Sequence, residues 1–448
     1  MSKRHVHVLG AGLAGTEAAF QAAENGHPVV LYEMRPVAFT PAHKTDRMAE
    51  LVCSNSLKSE SENTAPWLLK KELRALGSLA LAIADEVRVP AGHALTVDRN
   101  LFAEAVTERI SQHPLIEVRR EEVKRVLEPE SGDCVIVATG PLTSDALAGD
   151  IAQITGSERL YFYDSISPIV DAESIDFSVA FRASRYGKSL DGTDDYVNCP
   201  FDKAQYDAFI DALIEAEAFT PKIPDDVPYF EACLPIEEIC RRGRDTLRFG
   251  PMKPVGLTDP RTGRWPYAVV QLRQENARAG SYNLVGFQNH LRYPEQQRIF
   301  RMIPGLERAE FLRYGQIHRN TYINAPSLLT PTLQLRTRPN LFFAGQISGV
   351  EGYVESIATG LMAGRFASAL LNGEEPRPLP RETALGSLTA YISGADARDY
   401  QPANITFDLL PQLDEASRRK LGRDKKARHA EVCRRAEAAL DEYLGVHA

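Results

Sequence analysis

The chain opens on an alternation, His5-Val6-His7-Val8-Leu9, that reads as a short buried strand and runs directly into Gly10-Ala11-Gly12-Leu13-Ala14-Gly15. Small residues then recur at Ala14, Ala18 and Ala22 and at Gly15, Ala19 and Ala23, which predicts a helix with two adjacent small rows for close packing on a sheet. Gly26 stops that helix, and residues 28–32 predict a second parallel strand ending at Glu33. Asp98 as a cap, followed by apolar Leu101, Phe102, Ala105 and Val106, predicts a helix over 98–112, and residues 134–138 form a continuously apolar strand. From about 156 to 320 the pattern changes to short strands, Pro-bounded loops and one helix starting near Asp202. Within it, Ala268, Val270 and Leu272 alternate with Tyr267, Gln271 and Arg273. Residues 341–344 return to the fully apolar strand type, then Gly345-Gln346 and a helix over about 353–371.

This order predicts an α/β protein: a discontinuous Rossmann-type domain from 1–155 and 321–372, an α+β insertion over 156–320, and a short, mainly helical C-terminal extension over 373–448. A GxGxxG motif between a strand and a helix, with an acidic residue closing the next strand, is a dinucleotide signature: one glycine turns, one admits the pyrophosphate, and one lets helix and strand approach. Phosphate would sit on the helix N-terminus, and Glu33 is expected to accept both ribose hydroxyls of the adenosine. The motif alone leaves FAD and NAD open. The late strand ending in Gly345-Gln346 favours FAD, because Rossmann-type FAD proteins close with such a strand beside the flavin-side phosphates. The expected cofactor contacts are Gly10, Ala11, Gly12, Leu13, Ala14, Gly15, Glu33, Gly345 and Gln346. A second GxGxxG is absent, so any NAD(P)H would reach the flavin without a dinucleotide fold of its own.

Composition changes the picture little. The 448 residues, 44% hydrophobic and 25% charged, exclude a small binding module, wholesale disorder and a coiled coil. No apolar run is long enough to span a membrane and no signal-peptide core follows Met1, so a cytoplasmic protein without membrane contact is expected. Six cysteines (Cys53, Cys134, Cys199, Cys233, Cys240, Cys433) lie far apart without a CxxC pair, so neither a disulfide framework nor a metal site is expected.

Charge does change it. The net charge of −8 hides a segment, 236–345, with 16 Arg and one Lys against eight acids, a net of +9. It also holds Trp265, Tyr267, Tyr282, Phe287, Tyr293, Phe311, Tyr314 and Tyr322, a mixture suited to an RNA with splayed bases. The opposing reading, with the aromatics in the core and the arginines paired to acids from elsewhere, carries similar weight. The basic run 418–429 reads more simply as a solvated helix face.

Several segments resemble one family nearly end to end: GAGLAGTEAA, LYEMRP, ELVCSNSLKS, CLPIEE, LRFGPMKPVGLTDPRTG, YAVVQLRQEN, VGFQNHL, IHRNTYINAP and LFFAGQISGVEGYVESIATG. The sequence is similar to the folate- and FAD-dependent tRNA (uracil-5-)-methyltransferases. The resemblance implies one-carbon transfer from methylenetetrahydrofolate to C5 of the T-loop uridine at position 54 of tRNA, with FAD as cofactor, NAD(P)H as reductant and the insertion facing tRNA and folate. A sister family of larger flavoproteins, acting on the wobble uridine, shares the Rossmann parts. Its longer C-terminal domain does not fit after Leu371. The resemblance also places two functional cysteines, Cys233 as nucleophile toward uracil C6 and Cys53 as flavin-side base or methylene handler. A thiolate suits that conjugate addition. For Cys53, nearby His43, Lys44 and Arg47 are expected to favour the thiolate. From the residues alone, a flavin oxidoreductase of a small metabolite and a flavin-bound RNA-binding protein without turnover remain open.

Overall fold

The computed structural model describes residues 4–128, 132–156, 160–189, 192–219, 234–398 and 400–445. The opening alternation forms strand β1 (Val6–Leu9), the small-residue segment forms helix α1 (Leu13–Glu24), and strand β2 (Val29–Glu33) pairs parallel to β1 with Val6 opposite Val29. They belong to a six-stranded sheet ordered Gln334–Leu335, Arg338–Phe343, Cys134–Val137, β1, β2, Ile116–Arg120. All neighbours are parallel except Gln334–Leu335. Every residue of β2 and of Cys134–Val137 is buried, as in a parallel sheet covered by helices.

The small rows of α1 have two partners rather than the sheet alone. Gly15 presses on the end of β1, where a Cβ would lie 1.7 Å from the Gly10 carbonyl oxygen. Ala14 and Ala18 instead face the helix Tyr353–Leu371: a Cβ on Gly360 would stand 2.2 Å from the Ala14 carbonyl oxygen, and one on Gly364 2.5 Å from that of Ala18. The last helix of the Rossmann unit therefore lies backbone to backbone on the first, and the discontinuous halves close on each other.

A second core surrounds an antiparallel sheet ordered Phe181–Arg182, Tyr196–Phe201, Ala268–Gln274, Ser281–Leu284, Ile169–Asp171, Phe311–Arg313. Ala268, Val270 and Leu272 point into it with Val197 and Cys199, and the helices Lys203–Glu215 and Tyr293–Phe300 add Phe209, Leu213, Ile299 and Phe300. Asp202 starts the first of these helices with a capping box to Gln205. The two cores are joined by an antiparallel pair, Leu160–Ser165 with Ile317–Tyr322. Beyond residue 372, Leu385, Leu388, Ile392, Val432, Ala436 and Leu440 pack into the first core. Buried Glu72 accepts the N–H groups of Ala384 and Leu385 at the start of the helix Ala384–Gly394.

Candidate active site: a nucleotide cleft and the Cys53 loop

β1 and Cys134–Val137 are neighbours, and the loops leaving their C-terminal ends part around an open cleft, where α/β sheets bind their ligands. Gly10 turns there with φ +97°, and a Cβ would meet the Ala138 carbonyl oxygen at 2.7 Å, so no side chain fits. Gly12 is the reverse case: a Cβ would meet nothing within 4 Å and would project into the space a pyrophosphate needs. Gly12 is also the N-cap of α1 and contributes no side-chain cap, which leaves the first N–H groups for an anion. Of the expected contacts, Gly10, Ala11, Gly12, Leu13, Ala14, Glu33, Gly345 and Gln346 line the cleft. Gly15 lies outside this lining and is explained by packing.

Glu33 is 5% exposed. Its Oε2 accepts the Ala11 N–H at 3.1 Å, and its Oε1 accepts both the N–H and the Nε–H of Arg35 at 3.0 and 2.8 Å. Burial alone would raise this carboxyl, yet the hydrogen bonds and charge of Arg35 outweigh it and hold the group below its ordinary value. A carboxylate oxygen has two lone pairs and Oε2 meets one of these donors, so Glu33 keeps room for a ribose hydroxyl while its protein bonds stay in place. Arg35, whose Nη1 also reaches Glu50 at 3.0 Å, was not singled out by sequence, although its place in the LYEMRP segment was.

At the other end of the cleft, the lining residues Val52 and Tyr353 bring in the Cys53 loop. The Tyr353 hydroxyl accepts the N–H of Cys53 at 2.8 Å and of Ser54 at 3.1 Å. The Cys53 sulfur lies 3.9 Å from the Ser165 carbonyl oxygen. Cations whose charge acts on Cys53 include Arg99 and Arg313, from elements distant in sequence. By contrast, Arg47 points to the Asn100 carbonyl and Glu104, and His43 lines the cleft with its Nδ1 2.6 Å from the Thr40 hydroxyl. Arg99 and Arg313 thus add charges near the thiol that the local sequence does not announce. Arg273 and Tyr353 lie in the family-like segments YAVVQLRQEN and LFFAGQISGVEGYVESIATG, and Arg99 and Arg313 in none of those quoted.

Cys233 lies outside the described residues. Just after it, the Ile236 N–H bonds the Gln288 carbonyl at 2.8 Å, and Leu234 and Ile236 are buried. The remaining cysteines are buried thiols: burial pushes Cys240 up to about 11, Cys134 and Cys433 up to about 12, and Cys199 further still. Such groups are inert at neutral pH. Among the described residues no group of His, Cys, Asp or Glu is placed to hold a metal ion, and no helix is long and apolar enough to cross a membrane.

The arginine-rich segment divides. Arg241, Arg244, Arg248, Arg261, Arg292 and Arg298 pair with Glu238, Asp211, Asp245, Asp259, Glu217 and Glu295. Tyr282, Phe287 and Tyr322 are buried, whereas Trp265 and Tyr293 are each 54% exposed and Phe249, which the sequence did not nominate, is 80% exposed. The Arg248 guanidinium lies 3.6 Å over the Tyr267 ring. Part of the segment is core and ion-paired surface, and part presents open aromatic faces.

The fold and cleft together define a dinucleotide-binding α/β protein with an inserted antiparallel domain. Residues 5–375 match the family model described as glucose inhibited division protein A. Two solved crystal forms of GidA from Aquifex aeolicus share the fold, with TM-scores of 0.67 and 0.69 at 17% identity, over all of this chain and 74% and 77% of theirs. Among curated proteins, the methylenetetrahydrofolate–tRNA-(uracil-5-)-methyltransferase TrmFO of Solibacter usitatus is 70% identical over 98% of this chain and 98% of its own, and that of Koribacter versatilis 64% identical over 98% and 97%. The chain belongs to the methylenetetrahydrofolate–tRNA-(uracil-5-)-methyltransferase (TrmFO) family.

Proposed function

We infer that this protein methylates uridine at C5 in tRNA, taking the one-carbon unit from methylenetetrahydrofolate and using FAD. The observation that carries this reading is the 70% identity to a TrmFO over 98% of the chain. The cleft fits a dinucleotide on its own evidence, through the Gly12 cradle, the uncapped start of α1 and the anionic Glu33. Gly10, Gly12, Ala14, Glu33, Gly345 and Gln346 would hold FAD, which when bound and reduced supplies the hydride that turns the transferred methylene into a methyl group.

The finer parts of the reading are the target at position 54 in the T loop, NAD(P)H as the source of electrons, and the division of labour between the cysteines. Uracil C5 is a weak nucleophile until a group adds to C6; the Cys233 thiolate forms that C6–S bond and pushes electron density onto C5. After C5 has bonded to the folate's methylene carbon, Cys53 removes the C5 proton onto its sulfur and the C–N bond to tetrahydrofolate breaks, the nitrogen keeping the electron pair and taking a proton. Hydride addition to the exocyclic methylene left on C5 would complete the methyl group and break the C6–S bond, releasing the Cys233 thiolate. The exposed Trp265 and Tyr293, with the arginines around them, supply stacking faces and phosphate contacts for the RNA.

Incubating the purified protein with methylenetetrahydrofolate, NADPH and unmodified tRNA, then digesting to nucleosides, tests the reading. 5-Methyluridine is expected, at position 54 when the tRNA is mapped; no 5-methyluridine defeats the reading. A flavin spectrum alone would not distinguish it from a small-metabolite oxidoreductase.

A further inference from the structure

Three consecutive backbone carbonyls in the Cys53 loop are held by two guanidinium groups from elements far apart in sequence. Arg99, the first residue of the helix Arg99–Ser111, donates from Nη1 to the Leu51 carbonyl at 2.6 Å. Arg313, on the edge strand Phe311–Arg313 of the second sheet, donates from Nη1 to Val52 at 3.0 Å and from Nη2 to Cys53 at 3.2 Å and Ser167 at 3.3 Å. A third arginine, Arg273, holds the next two side chains, with Nη2 2.7 Å from the Ser54 hydroxyl and Nε 3.1 Å from Asn55 Oδ1.

Carbonyl and hydroxyl acceptors satisfy hydrogen bonds without cancelling charge. The carboxylate paired with this group is Glu275, 2.8 Å from Arg99. Among the described residues, Arg99 and Arg313, both largely withdrawn from water and both acting electrostatically on Cys53, meet that one acid, and burial keeps the neighbouring Tyr353 hydroxyl protonated, which leaves a surplus of positive charge at the loop. Removing ordinary cations from water costs several kcal/mol each unless an anion compensates. The geometry points to that anion: we infer that Arg313 and Arg99 are positioning residues that fix the Cys53 loop and hold the Cys53 side chain as a thiolate. The fork of Arg313 does this better than a lysine could, since it spans two successive carbonyls at once. Burial and the neighbouring charge of Arg99 push the Arg313 guanidinium down to about 10, so it stays charged at neutral pH. Because Arg313 and Arg273 belong to the inserted sheet, the placement of a thiol carried by the nucleotide domain depends on the docking of the insertion.

This inference deepens the reading of Cys53 as a chemical residue and rests on it for its purpose, but it can be tested without turnover. The full-length flavoprotein is treated with iodoacetamide across pH 6 to 10, and modification of the Cys53 peptide is followed by mass spectrometry. In the unaltered protein, half-maximal reactivity is expected at least one pH unit below the value of about 8.5 of an ordinary cysteine. In Arg313→Gln and Arg99→Gln the midpoint should rise, with reactivity at pH 7 falling about tenfold per charge removed. Arg313→Lys should keep the midpoint within a few tenths of a unit while lowering kcat, since charge remains but the two-carbonyl fork is lost. A wild-type midpoint at or above that of an ordinary cysteine overturns the proposal even if the glutamine variants fail to fold. So does a midpoint unmoved in both glutamine variants with the flavin spectrum intact. If Cys53→Ala retains full turnover, the assigned chemistry of Cys53 fails while the alkylation result stands.

Discussion

The two ends of the cleft solve opposite electrostatic problems. At the adenosine end the protein carries an anion of its own, Glu33, and neutralises it locally with Arg35 and the Ala11 N–H; the negative charge of a cofactor is left to glycine backbone and a helix start. At the thiol end the arrangement is reversed: Arg99, Arg273 and Arg313 bring positive charge to a loop where, among the described residues, Glu275 pairs with Arg99, and the hydrogen bonds of the other two go to neutral acceptors. One end is built for a ligand that stays bound, and needs shape and compensated charge. The other, on the role proposed for Cys53, would serve a group that takes and gives a proton and would supply the anion that balances the arginines.

The widest separation between the two ends comes from Cys53→Ala against Gly12→Val. Loss of the thiol should reduce 5-methyluridine formation by about three orders of magnitude or more, with flavin absorbance and thermal stability unchanged, because only the chemistry is touched. Gly12→Val should do the reverse: a Cβ at this position has no protein atom within 4 Å and points into the cofactor's expected space, so flavin affinity should fall by about a hundredfold while the apoprotein melts near its usual temperature. If Gly12→Val bound flavin normally, the cradle would be misplaced. Gly15→Ala should fail differently again, losing about 3 kcal/mol or more of stability in denaturant titration, since its Cβ would collide with the Gly10 carbonyl.

These two ends were unequally legible in the sequence. β1, α1 and β2 follow one another within about thirty residues, and each cleft feature there depends on neighbours along the chain, so spacing alone exposed Gly10, Gly12 and Glu33. The helix Tyr353–Leu371 also came out at the expected bounds, because its apolar surface is continuous. The surroundings of Cys53 are drawn from residues near 50, 100, 165, 275, 313 and 353. Periodicity carries no information about such meetings, and an arginine that will end up against backbone carbonyls looks like any surface arginine. The local cluster of His43, Lys44 and Arg47 therefore could not announce Arg99 and Arg313. The same limit applies at Glu33: that Arg35 bonds its Oε1 depends on how the chain turns after β2.

Acid sharpens the compensated end. The Glu33 carboxyl lies below its ordinary value of 4.5 in the folded chain, so its contribution is complete above about pH 4.5 and is lost as pH falls through the lower folded value. Arg35→Met removes the cause of that depression and leaves burial to raise the carboxyl. Flavin release on acidification, followed by fluorescence, should then begin about one pH unit higher than in the unaltered protein. An unchanged acid limb would mean that Arg35 does not set the charge state of Glu33.

The smallest effect concerns the arginine-rich surface proposed to meet RNA and asks whether a third kind of site, open and stacked, belongs beside the other two. Six of its arginines are already paired to acids, so phosphate contacts there compete with existing ion pairs, each worth little in water. Tyr293 has no such competitor for its ring face, half exposed and set edge-on to Tyr314 at 5.8 Å. Tyr293→Ala should weaken tRNA binding by about tenfold, as loss of one stacked base would. A salt series on the same protein should give a log–log slope of about −4 to −5 if four to six phosphates are held. Because stacking is nearly independent of counterions, the Tyr293→Ala line should run parallel to the wild-type line and merely lie below it. Converging lines would place Tyr293 in an electrostatic contact instead, and coincident lines would remove it from the RNA surface.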